Sequence, residues 1–180
     1  FGAHNPGQRE LPFCIHTRYS TQQAILEDIV ASLYAQGMRK LIILSGHGGN
    51  NFKGMIRDLA FVYPDFLIIA VDWFSIVPPK DYFEAVVDDH AGESETSVMM
   101  HYHPELVNLA EAGDGESKPF AIPSLNEKVG WAPRHWDKAT VDSGVGNPKK
   151  ASAEKGERYM KPVVEKLSKL FTEVGQGSLY

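Results

Sequence analysis

Apolar residues recur at helical spacing early in the chain. Ile25, Leu26, Ile29, Val30 and Leu33 form one stripe, which predicts an amphipathic helix facing a core. Ser20 with Gln23 three places on reads as its capping box, and Gly37 as its end. The β-rich run from Leu41 to Leu44 follows at once and predicts a strand buried on both faces. The pattern then repeats, with a helix from Asn50 to about Val62 and a second buried strand from Phe66 to Val71, ending at Asp72-Trp73. Alternating helix and strand imply right-handed crossovers and a parallel sheet, so the fold class predicted is α/β.

The rest of the chain is less regular. Gly2, Pro6, Gly7 and Pro12 break residues 1–19 into loop. Ser94 reads as the N-cap of a helix from Glu95 to about His101, stopped near Pro104. Residues 112–150 are rich in Gly, Pro, Trp and charge, and are too long for a simple connection, which suggests a functional or interface loop. Ser152 caps a final helix whose Met160, Val163, Val164, Leu167, Leu170 and Phe171 line one face, with Pro162 as a kink point. No repeat or low-complexity segment interrupts this order, and one domain over residues 1–180 is the expectation.

Composition narrows the class of partner. At 180 residues, with 43% apolar and 23% charged residues, the chain is long enough for one real core. A net charge of -5, without a basic run, argues against nucleic acid and against an anionic membrane surface. The single cysteine, Cys14, cannot pair internally, so nothing points to an oxidising compartment. No apolar run approaches the ~20 residues that cross a bilayer, and a cytoplasmic location is expected.

Candidate chemistry gathers at two places. In Ser45-Gly46-His47-Gly48-Gly49-Asn50 a histidine follows a strand among glycines, where backbone can approach a ligand closely. In a parallel sheet, ligands sit beyond the carboxyl ends of the strands, where both His47 and Asp72-Trp73 would fall. Neutral imidazole is the commonest protein ligand for zinc-type metals, so His47 is a metal-ligand candidate. Gly48, Gly49, Asn50 and Trp73 are candidate substrate contacts, with helix capping an equal reading for Asn50 and packing for Trp73.

The second place is Asp89-His90-Ala91-Gly92-Glu93-Ser94-Glu95-Thr96-Ser97. Glu95 in a first helical turn would favour the helix dipole, but its nearness to His90 and Gly92 makes it a metal-ligand candidate. Asp88, Asp89 and Glu93 add negative charge, read as mostly solvated. His101 and His103 read as helix C-terminal residues, since positions two apart on a helix face different ways. His4, His16 and His135 fall in predicted loops as weaker candidates for substrate contact. No nucleophile elbow or phosphate loop is present.

These motifs resemble the creatininase (creatinine amidohydrolase) family. The resemblance runs through Gly46-His47-Gly48-Gly49-Asn50, His90 to Ser97, Pro104-Glu105-Leu106-Val107 and Ser143-Gly144-Val145-Gly146-Asn147-Pro148, four segments in order. It implies a three-layer α/β/α domain with a mostly parallel sheet. It also implies a site for two divalent metals (zinc, manganese or iron) and a homo-oligomer, often a hexamer. Carried over, His47 matches a metal-binding histidine, His90 a catalytic histidine that moves protons, and Glu95 the acidic residue of the H-A-G-x-x-E-T-S motif. Creatininase carries a ligand glutamate where this chain has Gly49, and Glu95 is the candidate replacement. The family's opening E-x-H-x-x-H-L-P-x-x-T-D pattern does not occur here, so residues 1–13 read as the segment after it. The expectation is a sequence shortened by several tens of residues, holding half of a binuclear centre.

The activity so implied is metal-dependent hydrolysis of a C–N bond in a small cyclic or related amide, with metal-bound hydroxide as nucleophile and His90 as proton donor. Backbone N–H groups of Gly48 and Gly49 would support the oxyanion. Two rival readings stand beside it. One keeps the site and changes the substrate, to a keto-cyclitol or keto-sugar ring or a formamide, with residues 128–137 suited to a polyol. The other is an inactive binding or oligomerisation module that retains the motifs.

Overall fold

The computed structural model describes Gly2 and residues 4–178. The chain divides into two compact units. The first holds Phe1–His4, Pro12–Ile76 and Lys166–Tyr180, and the second Asn5–Leu11 and Val77–Glu165.

The first unit is built on two helix–strand repeats: α1 (Tyr19–Ala35), β1 (Lys40–Ser45), α2 (Lys53–Val62) and β2 (Leu67–Asp72). The strands pair in parallel and in register from Lys40 with Leu67 to Ser45 with Asp72. Leu26, Val30, Met55, Leu59, Phe66 and Ile68 form the buried core, with Leu33, Leu41, Ile43 and Ile56 packed against it. Burial of each such side chain contributes about 1.5–3 kcal/mol; of the predicted α1 stripe Leu26, Val30 and Leu33 reach this core, while Ile29 stays 45% exposed.

Several boundaries differ from the expectation. Helix α1 starts at Tyr19 after Arg18, not at a Ser20 cap, and Gln22 Nε2 instead reaches back to the Thr17 carbonyl. Its end is as expected: Gly37 takes φ +87°, Gly37 N–H donates to Tyr34 and Met38 N–H to Leu33. That is a Schellman closure, which requires a residue free to adopt the left-handed region. Strand β1 is only half covered, with Leu44 50% exposed. Helix α2 begins three residues later than expected, at Lys53, with the Asn51 side chain accepting from Lys53 N–H.

The second unit carries β3 (Asp88–His90), α3 (Glu93–Tyr102), the short helices α4 (Pro123–Asn126) and α5 (Trp136–Ala139), and β4 (Val145–Gly146). It also holds the first half of α6 (Ala153–Gln176), which continues through Pro162 as one helix. Strands β3 and β4 pair antiparallel, with a register shift between Asp88 and His90. The long 112–150 segment therefore contains its own short elements. In α6 the buried positions are Gly156, Tyr159 and Val163, while Val164 and Phe171 are exposed, so the predicted apolar face is rotated toward its N-terminal half. Ser152 does cap this helix, accepting from Lys155 N–H at 3.2 Å.

Helix α3 and α6 meet where both carry small residues. A Cβ on Gly156 would overlap the Ser97 carbonyl, and the buried Ser97 hydroxyl accepts from Ser152 N–H at 3.1 Å. Among the described residues no helix is long and apolar enough to cross a membrane.

Candidate active site

In the first unit, the parallel pairing of Ser45 with Asp72 brings both strand ends to one rim. The turn after β1 presents His47, exposed, and the segment after β2 presents the half-buried Trp73 and Phe74. A Cβ on Gly48 would sit 3.8 Å from the Phe74 ring, so the glycine turn and this aromatic segment are in contact. Trp73 stands perpendicular to Phe74 at 5.9 Å. Asn50 N–H donates to the His47 carbonyl at 3.2 Å, closing the turn instead of starting α2.

The His47 ring is oriented by its own loop. Gly49 N–H donates to His47 Nδ1 at 3.0 Å, so a neutral ring carries its proton on Nε2. A cation bound by this imidazole needs a lone pair, which requires release of the Gly49 hydrogen bond or a turned-over ring. The same bond occupies the Gly49 N–H, leaving Gly48 N–H as the expected oxyanion donor.

Two histidines from the predicted loop join this rim. The His4 ring lies 6.5 Å from His47 and 6.2 Å from His16, and His4 N–H donates to His16 Nδ1 at 3.2 Å. With Zn–N bonds of about 2.0–2.1 Å, imidazoles sharing one tetrahedral ion have centroids roughly 5 Å apart, so this trio is wider than a metal cage. The parallel bridge between Gly2 and His16 gathers it, a contact without a local sequence signal.

In the second unit, β3 delivers His90 and α3 delivers Glu95 to one turn. Ala91 between them takes φ +50°, unusual for a residue with a Cβ. The helix start holds it there: Glu95 Oε2 accepts from Ala91 N–H at 2.6 Å and Thr96 Oγ1 donates to the Ala91 carbonyl at 3.2 Å. The N-cap is Gly92, not Ser94, and the Asp88 carboxylate supplies the capping oxygen, accepting from Ser94 N–H at 3.0 Å. A Cβ at Gly92 would collide with that carboxylate, which explains the glycine. Burial pushes the Asp88 carboxyl above the usual carboxylate range, against its bonds to Ser94.

Glu93 is not solvated as its charge run suggests. It is fully buried. Its Oε2 accepts from Glu84 and Ala85 N–H at 2.9 and 2.8 Å, and Lys155 Nζ donates to its Oε1 at 2.5 Å. The ammonium also meets Glu84 Oε1 at 3.0 Å. Hydrogen bonds from Lys150 and Lys155 lower the Glu84 carboxyl to about 2, and Glu93 with Glu84 raises Lys155.

A recess of 350 Å³ opens beside the turn, lined by Glu95, Ala91 and Thr96 at one side and by Met99, Leu106 and Leu109 among others. Against the His90 ring stands Trp136, perpendicular at 5.4 Å, with the Arg134 guanidinium 4.7 Å from the indole centre and paired with Asp89. Of this set the sequence reading gave a site role to His90, took Asp89 only as local negative charge, and left Trp136 between pocket lining and packing. The Trp-rich 128–137 stretch was its one available signal. His101 and His103 close α3 as expected, His103 Nδ1 lying 3.2 Å from Glu105 Oε1.

Among the described residues no three His, Cys, Asp or Glu side chains form a group that could hold a metal ion. What the motifs provide is single donors of the right kind: the His47 imidazole in the first unit, the Glu95 carboxylate in the second. Nitrogen and oxygen donors suit zinc and manganese alike.

Several known proteins are similar to this chain. The creatinine amidohydrolase of Pseudomonas putida is 24% identical over 187 residues, 96% of this chain and 67% of that protein. The mycofactocin precursor peptide peptidase of Mycobacterium ulcerans (strain Agy99) is 31% identical over 131 residues, 70% of this chain and 45% of the peptidase. The chain thus spans about two thirds of one relative and less than half of the other. A crystal structure from Bacteroides fragilis NCTC 9343, provisionally named a creatinine amidohydrolase, matches at TM-score 0.97 and 84% identity, covering 99% of this chain and 71% of that one. Creatininase structures of Zn-Zn type and with manganese share the fold at TM-score 0.71, with 22% and 20% identity. By fold and relatives the chain is a hydrolase of mixed helix-and-strand architecture. It belongs to the creatininase family, described as creatinine amidohydrolase, which matches residues 1–171.

Proposed function

We propose that this protein is a metal-dependent amidohydrolase that cleaves a C–N bond of a small cyclic amide or a related amide. The observation that supports this best is the His90–Glu95 turn. An imidazole and a carboxylate are delivered to one turn of chain, the carboxylate lining a recess, with hydrogen bonds that fix an otherwise disfavoured Ala91 between them. That a creatinine amidohydrolase and a peptide peptidase are both relatives favours a C–N bond over the ring opening of a keto-cyclitol or keto-sugar.

In this reading His47 and Glu95 are the metal ligands contributed by residues 1–180. A divalent cation held by such ligands would polarise the substrate carbonyl and make a water acidic enough to attack at neutral pH. His90 gives a proton from a ring nitrogen to the departing nitrogen, and Gly48 N–H, Asn50 and Trp73 border the substrate. The protein assembles as a homo-oligomer, which light scattering measures directly.

The test is turnover on a panel of cyclic amides, linear amides and short peptides. Replacing His90 by Gln is expected to lower kcat by about 10²–10⁴ while metal content stays at the wild-type level. Full activity in His90→Gln would remove it from the mechanism. Activity confined to keto-sugars would overturn the C–N assignment.

A further inference from the structure

Resting on the reading of His90 as the proton-moving group, we propose that Arg134 and Trp136 are positioning residues that strap its imidazole into one orientation. The β3–α3 turn holds the backbone around His90, because the bonds from Glu95, Thr96 and Asp88 all end on main-chain atoms of residues 91 and 94. None of those bonds reaches the ring. The 134–136 segment does, since the Trp136 indole stands at 86° to the imidazole with centroids 5.4 Å apart. Edge-to-face packing of this kind favours one ring orientation over rotated alternatives.

For a strap to position anything, it must itself be fixed. Trp136 is 4% exposed. Its N–H donates to the Pro6 carbonyl at 2.7 Å and its Nε1–H to the Ser143 carbonyl at 3.2 Å. Its own carbonyl accepts from Thr140 N–H at 3.0 Å and Thr140 Oγ1 at 2.8 Å. The Arg134 guanidinium then lies over the indole at 4.7 Å and pairs with the Asp89 carboxylate. Segment 134–136 therefore grips two consecutive residues of β3, Asp89 by charge and His90 by ring contact. The register shift of β3 between Asp88 and His90 falls at this grip.

Proton transfer depends steeply on orientation, and a misplacement of about 1 Å can cost 10²-fold in rate. The experiment combines kinetics with NMR of the His90 ring protons. Trp136→Leu is expected to lower kcat by roughly 10-fold to 10²-fold with KM within about twofold. It should also move the His90 ring resonances as the indole ring current is lost. Trp136→Phe should restore most of both. Since Trp136 is buried, Arg134→Ala and Asp89→Asn test the exposed end without cutting the core. Each should shift the His90 resonances and lower kcat in the same direction, with Arg134→Lys giving partial rescue. If His90→Gln abolishes turnover while Trp136→Leu and Arg134→Ala keep full kcat, the strap is refuted and the catalytic reading stands. If His90→Gln itself is fully active, the catalytic reading fails first.

Discussion

Glu93 shows how a single residue sets up the site without taking part in it. A carboxylate at 0% exposure would be severely destabilising alone. Two main-chain N–H groups and the Lys155 ammonium compensate it, and in doing so fasten residues 84–85 to the start of α3. Glu93→Ala would strand the Glu84 and Ala85 N–H groups and cost Lys155 its buried partner, so a loss of about 3 kcal/mol in unfolding free energy is expected from denaturant titration. Its neighbour Glu84 lies at the surface and gives a different signature. Its carboxyl is held at about 2 by Lys150 and Lys155, below the 4.5 of an unpaired glutamate. Because the folded value is the lower one, its contribution is present above pH 4.5 and disappears as pH falls toward 2. Thermal melts should show wild type above Glu84→Gln at pH 6 and the two converging near pH 2. Neither role was legible in the sequence, because the lysine partner both acids share is 62 or more residues away.

The elements were legible where a local period or a local turn decides them. The α1 stripe, the Gly37 closure and the pairing implied by helix–strand alternation all follow from nearby residues, and they place His47 at the carboxyl rim. What was missed lies where a distant group substitutes for a local one. Ser94 looks like a cap, but the Asp88 carboxylate from β3 takes that place and Gly92 accommodates it. The rotated apolar face of α6 has a similar origin. Its burial is decided by the close approach to α3 at Gly156, not by the stripe near Val164 and Phe171. Gly156→Ala should therefore destabilise by about 1–3 kcal/mol although alanine favours helices. A rise in melting temperature would show that the α3–α6 contact can open without loss.

At the scale of the whole molecule, membership of the creatininase family accounts for the motif order, and the family's fold accounts for the parallel pair and the helix-opening turn. The two donors assigned to metal lie in different compact units, His47 in one and Glu95 in the other, so each assignment is tested on its own. Metal analysis of the purified protein, beside His47→Ala and Glu95→Gln, tests them most directly. The account predicts near-stoichiometric zinc, manganese or iron in the wild type and a clear loss of metal in each variant. Wild-type metal content retained in both variants would contradict it.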